Sequence, residues 1–316
     1  MKWLKIALLP SMFAVLAAAA VITGGTARAG DSTQPGARVK MTVTSNVEKG
    51  KRPQTIEQQD VFVKRGKERL QVVEWVPAKG DRAGLELFVL IDDASTSTLG
   101  SHLADLRTFI QSQLPTTAVG VGYARNGTVE IRQNLTTDHA LASSSLRLPF
   151  VSAGAFGNPY LSVTNLMNRW PATPNRREVI LVTDGIDRAG RGRNALLNPD
   201  VDTAAAVAQR TGTTVHTIYF PGVGHWRRNW WDANNGQNAM AKLSDLTGGE
   251  SFFLGRQEPV SIRPYLDDLQ NILDNQYLLT FVAKPAKKAG LQYVTVGSEV
   301  SGVDFNAPDA IWVPAK

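Results

Sequence analysis

Apolar positions along the chain fall into three textures, and each predicts different elements. From Val39 they alternate with polar residues: Val39, Met41 and Val43, then Val61 and Val63, then Leu70 and Val72 with Val73. A period of two predicts short, half-buried strands. The polar stretches between them, Lys49-Gly50-Lys51 and Lys64-Arg65-Gly66-Lys67, read as turns, and Pro77-Ala78-Lys79-Gly80-Asp81 reads as a boundary. From Gly84 the texture changes to continuous apolar runs separated by helical stretches, the signature of a parallel sheet with covering helices. Strands are predicted over Leu85 to Ile91, Ala118 to Ala124, Thr128 to Arg132, Val179 to Thr183 and Thr214 to Phe220. Helices are predicted at about Ser101 to Gln113, Leu161 to Trp170, Val201 to Thr211, Asn238 to Leu246 and Ile262 to Asn275. Beyond them Gln276 to Val282, Leu291 to Gly297 and Ala310 to Val313 are strand-like again.

The first 29 residues follow a different logic. Lys2 and Lys5 precede an apolar run from Ile6 to Ile22, and Ala27-Arg28-Ala29 closes it, the layout of a secretory signal peptide with a small-x-small cleavage site. The expected organisation is therefore a signal peptide over 1–29, a β-rich flank over 30–80, an α/β domain over 81–275 and a second β-rich flank over 276–316. The α/β part is expected to be a Rossmann-like, doubly wound, mostly parallel sheet. If the two flanks are each too short to bury a core, they pair into one small β-sandwich.

Composition sharpens this picture by exclusion. The chain has 316 residues and no cysteine, so disulfides, Cys-ligated zinc and a thiolate nucleophile are out. The formal charge of +6 comes from 34 basic and 28 acidic residues; without Lys2, Lys5 and Arg28 it is 31 minus 28, or +3. A +3 spread over turns is not a basic stripe, so nucleic acid is not an expected partner. No second apolar segment is long enough to span a membrane, and the expected location is the periplasm or the medium.

Candidate chemistry sits at two predicted strand ends. The run Leu87 to Ile91 leads into Asp92-Asp93-Ala94-Ser95-Thr96-Ser97, an Asp-x-Ser-x-Ser triplet, and Val179 to Thr183 leads into Asp184-Gly185. In an open parallel sheet ligands bind at this edge. Asp93, Ser95, Ser97 and Asp184 offer only hard oxygen atoms, the shell that Mg²⁺ prefers. The blander alternative is that Ser95 and Ser97 cap a helix and Asp184 opens a turn. Asp92, beside Asp93, either strengthens or misaligns the site.

These motifs resemble the von Willebrand factor A (VWA) domain family and its metal-ion-dependent adhesion site. Asp93, Ser95 and Ser97 match the first motif, and Asp184 with Gly185 matches the Asp-Gly loop. The strand and helix order over 81–275, the Thr247-Gly248-Gly249 segment before Phe252 and Phe253, and both flanks are similar to exported bacterial VWA-related proteins of the acidobacterial type. The resemblance implies a VWA-like fold and a Mg²⁺ site, or one for Mn²⁺ or Ca²⁺, that a protein partner's Asp or Glu carboxylate completes. It also implies a further ligand from the loop before the helix near Leu161. That loop lacks the family's Thr; Asn158 is the positional equivalent, with Ser162 and Thr164 behind it.

Two basic loops follow the same edge. Trp226, Arg227, Arg228, Trp230 and Trp231 form a candidate partner-binding patch, because Trp and Arg dominate interface hot spots; folding of the tryptophans against their own domain is the alternative. Arg188, Arg191 and Arg193 lie close to Asp184 and either attract an acidic group or decorate a solvated loop. No catalytic motif is present: there is no Gly-x-Ser-x-Gly, no His-Glu-x-x-His and no phosphate-binding loop, and His102, His139, His216 and His225 are scattered, with His216 expected in the core. The function expected is an exported, metal-dependent, adhesion-type binding protein and not an enzyme. A metal-free structural or assembly component of the envelope, binding through its β flanks, is the alternative.

Overall fold

A computed structural model of the protein describes residues 36–46, 55–152, 154, 156–189, 198–222, 230–253, 260–285 and 287–315. The expected signal peptide lies outside the described residues. The elements in chain order are β1 (Ala37–Asn46), β2 (Val61–Arg65), β3 (Glu68–Pro77), β4 (Leu85–Asp92), α1 (Leu103–Gln111), β5 (Thr117–Arg125), β6 (Thr128–Thr136), α2 (His139–Ser144), α3 (Pro159–Arg169), β7 (Arg176–Thr183), α4 (Pro199–Thr211), β8 (Thr213–Tyr219), α5 (Trp230–Thr247), β9 (Ser251–Phe252) and α6 (Arg263–Asp274). They are followed by β10 (Gln276–Ala283), β11 (Gly290–Tyr293), β12 (Thr295–Ser298), β13 (Asp304–Asn306) and β14 (Ala310–Val313).

The central sheet has the order β6-β5-β4-β7-β8-β9, and every pair is parallel except β5 with β6. That antiparallel edge is closed by Asn126 and Gly127, both at positive φ (53° and 67°), as a two-residue hairpin demands. Strand order reverses around β4, so the carboxyl ends of β4 and β7 form the switch point of a doubly wound sheet. Side-chain alternation in β4 divides the core. Leu87, Val89 and Ile91 face α1 and α6, with Leu106, Ile110, Leu266 and Leu269 opposite them. Phe88 and Leu90 face α3, α4 and α5, with Tyr160, Val163, Ala204 and Leu243 opposite them. Such two-sided burial is why these strands read as unbroken apolar runs.

The helix starts are written locally. Asn158 caps α3 through its side chain and Asn198 caps α4, each followed by proline at the first helical position, while Gly212 ends α4 at φ 66°. Helix α5 begins at Trp230, about two turns earlier than expected, and continues through Gly236. The glycine that weakens the helical signal in the sequence is a packing requirement, since a Cβ on Gly236 would collide with the Asp184 carbonyl and a Cβ on Gly185 with the Gly236 carbonyl.

The two flanks share one antiparallel sheet of order β12-β2-β3-β10-β1-β13, in which β1 and β3 both pair with β10. The β11–β14 pair supplies a second layer. Ile311 and Val313 enter the same core as Met41, Val43, Trp75, Leu279 and Phe281. Trp75 stacks on Tyr277 with ring centroids 4.4 Å apart, joining the flanks across the sheet. The apolar stretch Leu291 to Gly297 differs from its expected single strand. It breaks at buried Val294, whose N–H donates to the Asp309 carbonyl, so that β11 pairs with β14 and β12 with β2.

Candidate functional site at the head of the sheet

Adjacent residues at a strand end point to opposite faces, and this separates the expected ligand set. Asp92 continues the side of Phe88 and Leu90, whereas Asp93 continues that of Leu87, Val89 and Ile91. The carboxylate beside Asp184 is consequently Asp92. Its Oδ2 accepts from the Thr183 hydroxyl at 2.7 Å and its Oδ1 from the Ala94 N–H at 2.8 Å. Burial pushes its pKa up to about 6, with Asp184 adding to the rise and Arg188 opposing it.

Asp93 is fully buried and serves the other side. Arg147 donates to both of its oxygens, at 2.7 and 3.0 Å, and the Phe150 N–H donates to Oδ1 at 3.1 Å. The Arg147 guanidinium lies 3.7 Å from the Tyr123 ring centroid and 3.9 Å from that of Phe150. Burial would lower the Arg147 pKa, but Asp93 outweighs it and holds the guanidinium above its ordinary value. The Asp93 carbonyl accepts from the Ser152 N–H at 2.8 Å, so one residue fastens the loop after α2 at three points.

Asp184 is held by Arg188, four residues on. Its Oδ2 lies 2.5 Å from Nη2 and its Oδ1 3.0 Å from Nη1, and Nη1 stands 3.9 Å from Asp92 Oδ2. Burial would lower the Arg188 pKa; Asp184 and then Asp92 raise it above its usual range. Asn158 reaches this region, but its Oδ1 accepts from the Tyr160 and Leu161 N–H groups and its Nδ2 donates to Asp200 Oδ2 at 2.8 Å. Tyr160 donates to the Gly185 carbonyl at 2.7 Å, and burial, reinforced by Asp184, drives its pKa well up. Ser95 is buried with no partner for Oγ, whereas Ser97 is exposed at the start of a 3-10 turn over Ser97–His102.

The donors as arranged do not fit a divalent ion. Asp93 belongs to the opposite face, the Asn158 oxygen is spent on the α3 cap, Ser97 faces outward, and a guanidinium already lies against Asp184 and Asp92. Ser95 Oγ is the one orphaned buried oxygen of the expected set, and a single hydroxyl is not a Mg²⁺ shell. Among the described residues no group of three or more His, Asp or Glu side chains is placed to hold a metal.

Of the other expectations, Trp226, Arg227, Arg228 and Arg191 lie outside the described residues. Trp230 is described only as the first residue of α5, and Trp231 in the same turn is 56% exposed. His216 is a core residue: Nδ1 accepts from the Glu250 N–H, so Nε2 carries the proton that goes to Glu178 at 2.8 Å. What sequence reasoning missed is Arg147. Its pairing spans 54 positions, and nothing local to Leu146-Arg147-Leu148 signals it. The same loop exposes Leu148, Phe150, Val151 and Phe156, and the hairpin tip supports it, with Asn126 Oδ1 accepting from the Phe156 N–H.

Strand order, the antiparallel hairpin edge and helices on both faces define a doubly wound α/β domain, the layout expected from the VWA resemblance, here joined to a β-sandwich made from both flanks. No family model and no curated protein matches the chain. Solved structures with which it shares partial likeness include an aerotolerance-related membrane protein from Bacteroides fragilis NCTC 9343, crystallised with multiple mutations to serines, at TM-score 0.43 and 13% identity over 60% of this chain and 99% of that one. Others are the SpRpn10 VWA domain, at TM-score 0.39 and 11% identity over 59% and 93% of the two chains, and the ArnB paralog VWA2 from Sulfolobus acidocaldarius, at 0.39 and 10% over 88% and 76%. Among the described residues no helix is long and apolar enough to cross a membrane.

Proposed function

We propose that the protein is an exported interaction module that binds a protein partner at the head of its central sheet. The observation that carries this reading is the exposure of the large apolar side chains Leu148, Phe150 and Phe156, by 54, 53 and 66%, in the segment after α2 that Asp93 ties to the sheet through Arg147, Phe150 and Ser152. Large apolar side chains grouped on a soluble surface mark an interaction site, and a loop already fixed in place loses little entropy on binding. Polar Arg125, whose guanidinium lies 5.1 Å from the Phe150 ring, borders the patch.

The test is co-purification of partners from the envelope and medium of the producing cell with the wild-type chain and with Leu148→Ser/Phe156→Ser. The double variant is expected to lose the captured partner while melting at the wild-type temperature. Equal capture by the two proteins would sink the proposal. Loss of capture instead in Tyr293→Ser/Trp312→Ser, two exposed residues of the β11–β14 pair, would assign binding to the flanks.

A further inference from the structure

We propose that Arg188 takes, within this chain, the place that the sequence pattern reserves for a divalent cation, so that the site carries its own fixed positive charge and takes up no Mg²⁺, Mn²⁺ or Ca²⁺. The inference concerns the polar centre alone and stands whether or not the apolar loop binds a partner.

Charge is the first argument. Asp92 and Asp184 end neighbouring strands at the switch point, and the Arg188 guanidinium contacts Asp184 through both nitrogens while standing 3.9 Å from Asp92. A divalent ion at this spot would set +3 against the −2 of Asp92 and Asp184 in a buried space, or would have to expel the guanidinium. In a low-dielectric setting like charges this close repel strongly. Arg188 is not loosely held either. Its Nη1 also donates to the Ile186 carbonyl at 3.2 Å, and its backbone N–H donates to the Gly157 carbonyl at 2.7 Å.

Space is the second argument. A Cβ on Gly222 would collide with both Asp184 Oδ2 and Arg188 Nη2. The backbone of the Pro221–Gly222 segment therefore closes directly over the ion pair, and it is itself tied down, with Gly222 bridged to Ser95 and the Thr96 N–H donating to the Pro221 carbonyl. The third argument is donor supply. An incoming ion would need oxygens, yet the Asn158 side-chain oxygen already serves two backbone N–H groups and Asp92 accepts from Thr183 and Ala94. Within the expected ligand set Ser95 Oγ is the one buried oxygen without a hydrogen-bond partner.

Calorimetric titration and thermal melting of the mature chain with MgCl₂, MnCl₂ and CaCl₂, before and after EDTA, test the inference without reference to any partner. The wild-type protein is expected to show no binding heat and no melting shift. Arg188→Ala, or the milder Arg188→Gln, removes the internal cation, frees both Asp184 oxygens beside Asp92 for an ion completed by water, and is expected to gain a melting shift with Mn²⁺ that Asp184→Asn abolishes in the double variant. Uptake of any of the three ions by the wild-type chain with loss in Asp184→Asn would overturn the inference, as would a folded Arg188 variant with no response to Mn²⁺. If neither Arg188 variant folds, the wild-type titration still decides. Partner capture that fails while these results hold refutes the apolar-patch proposal and leaves Arg188 in its assigned role.

Discussion

Two aspartate–arginine pairs neutralise the head of the sheet, and they do so in different ways. Asp93–Arg147 joins residues 54 apart, lies between two aromatic rings and fastens a loop to the sheet. Asp184–Arg188 is closed within one turn of chain and fills the switch point under Gly222. The first pair is a tertiary clamp whose product is a surface; the second is a local plug whose product is a settled charge. Strand alternation made the two possible, because Asp92 and Asp93 could not both face the same side.

Breaking the clamp is expected to have the largest effect. Arg147→Ala leaves Asp93 buried and without its cation, which costs on the order of 3 to 5 kcal/mol, read as a lowered urea midpoint. Asp93→Asn/Arg147→Met, which removes both charges, is expected to cost clearly less than Arg147→Ala alone. A double variant as unstable as the single would show that the ring contacts, and not the charge pair, hold the loop. The plug answers to a smaller perturbation. Gly222→Ala forces apart the Asp184–Arg188 contact and is expected to cost roughly 1 to 3 kcal/mol as an overpacking change, measured by the same unfolding curves; a neutral result would mean that the pair can shift without loss.

The same comparison explains what could be read from the sequence. The strands β4, β5, β7 and β8 were legible because burial on both faces leaves long apolar runs, and α3 and α4 because Asn158-Pro159 and Asn198-Pro199 are local start signals. The plug was half legible: Arg188 stands four residues from Asp184, and alternation along β4 would have selected Asp92 over Asp93 as the strand-end carboxylate. The Asp-x-Ser-x-Ser spacing drew attention to Asp93 instead, since a motif records identity and spacing but not the face of the strand. The clamp was not legible, because Arg147 meets Asp93 only once β5, β6 and α2 have placed it there. The start of α5 was hidden by Gly236, whose low helix propensity is overridden by its contact with Gly185.

The smallest expected effect isolates Asp92, the carboxylate between the two pairs. Burial raises its pKa to about 6 in the folded chain, from an ordinary value of 3.8. A carboxyl that binds its proton more tightly when folded stabilises the fold below its unfolded pKa of about 4, and that contribution is lost as pH rises through about 6. Asn in its place is neutral throughout; its Oδ1 keeps the bond from the Ala94 N–H, and its Nδ2 donates to the Thr183 hydroxyl oxygen in place of the bond Asp92 accepts there. The difference in unfolding free energy between Asp92→Asn and the wild type should therefore move in favour of Asn between pH 4 and pH 6 and level off above pH 7, by roughly 1 to 3 kcal/mol in all. Urea unfolding of both proteins across that range measures it. A shift of the opposite sign would mean that attraction to Arg188 outweighs the cost of burying Asp92, and the plug would then be a stabilising triad in which Arg188 is shared equally by Asp92 and Asp184.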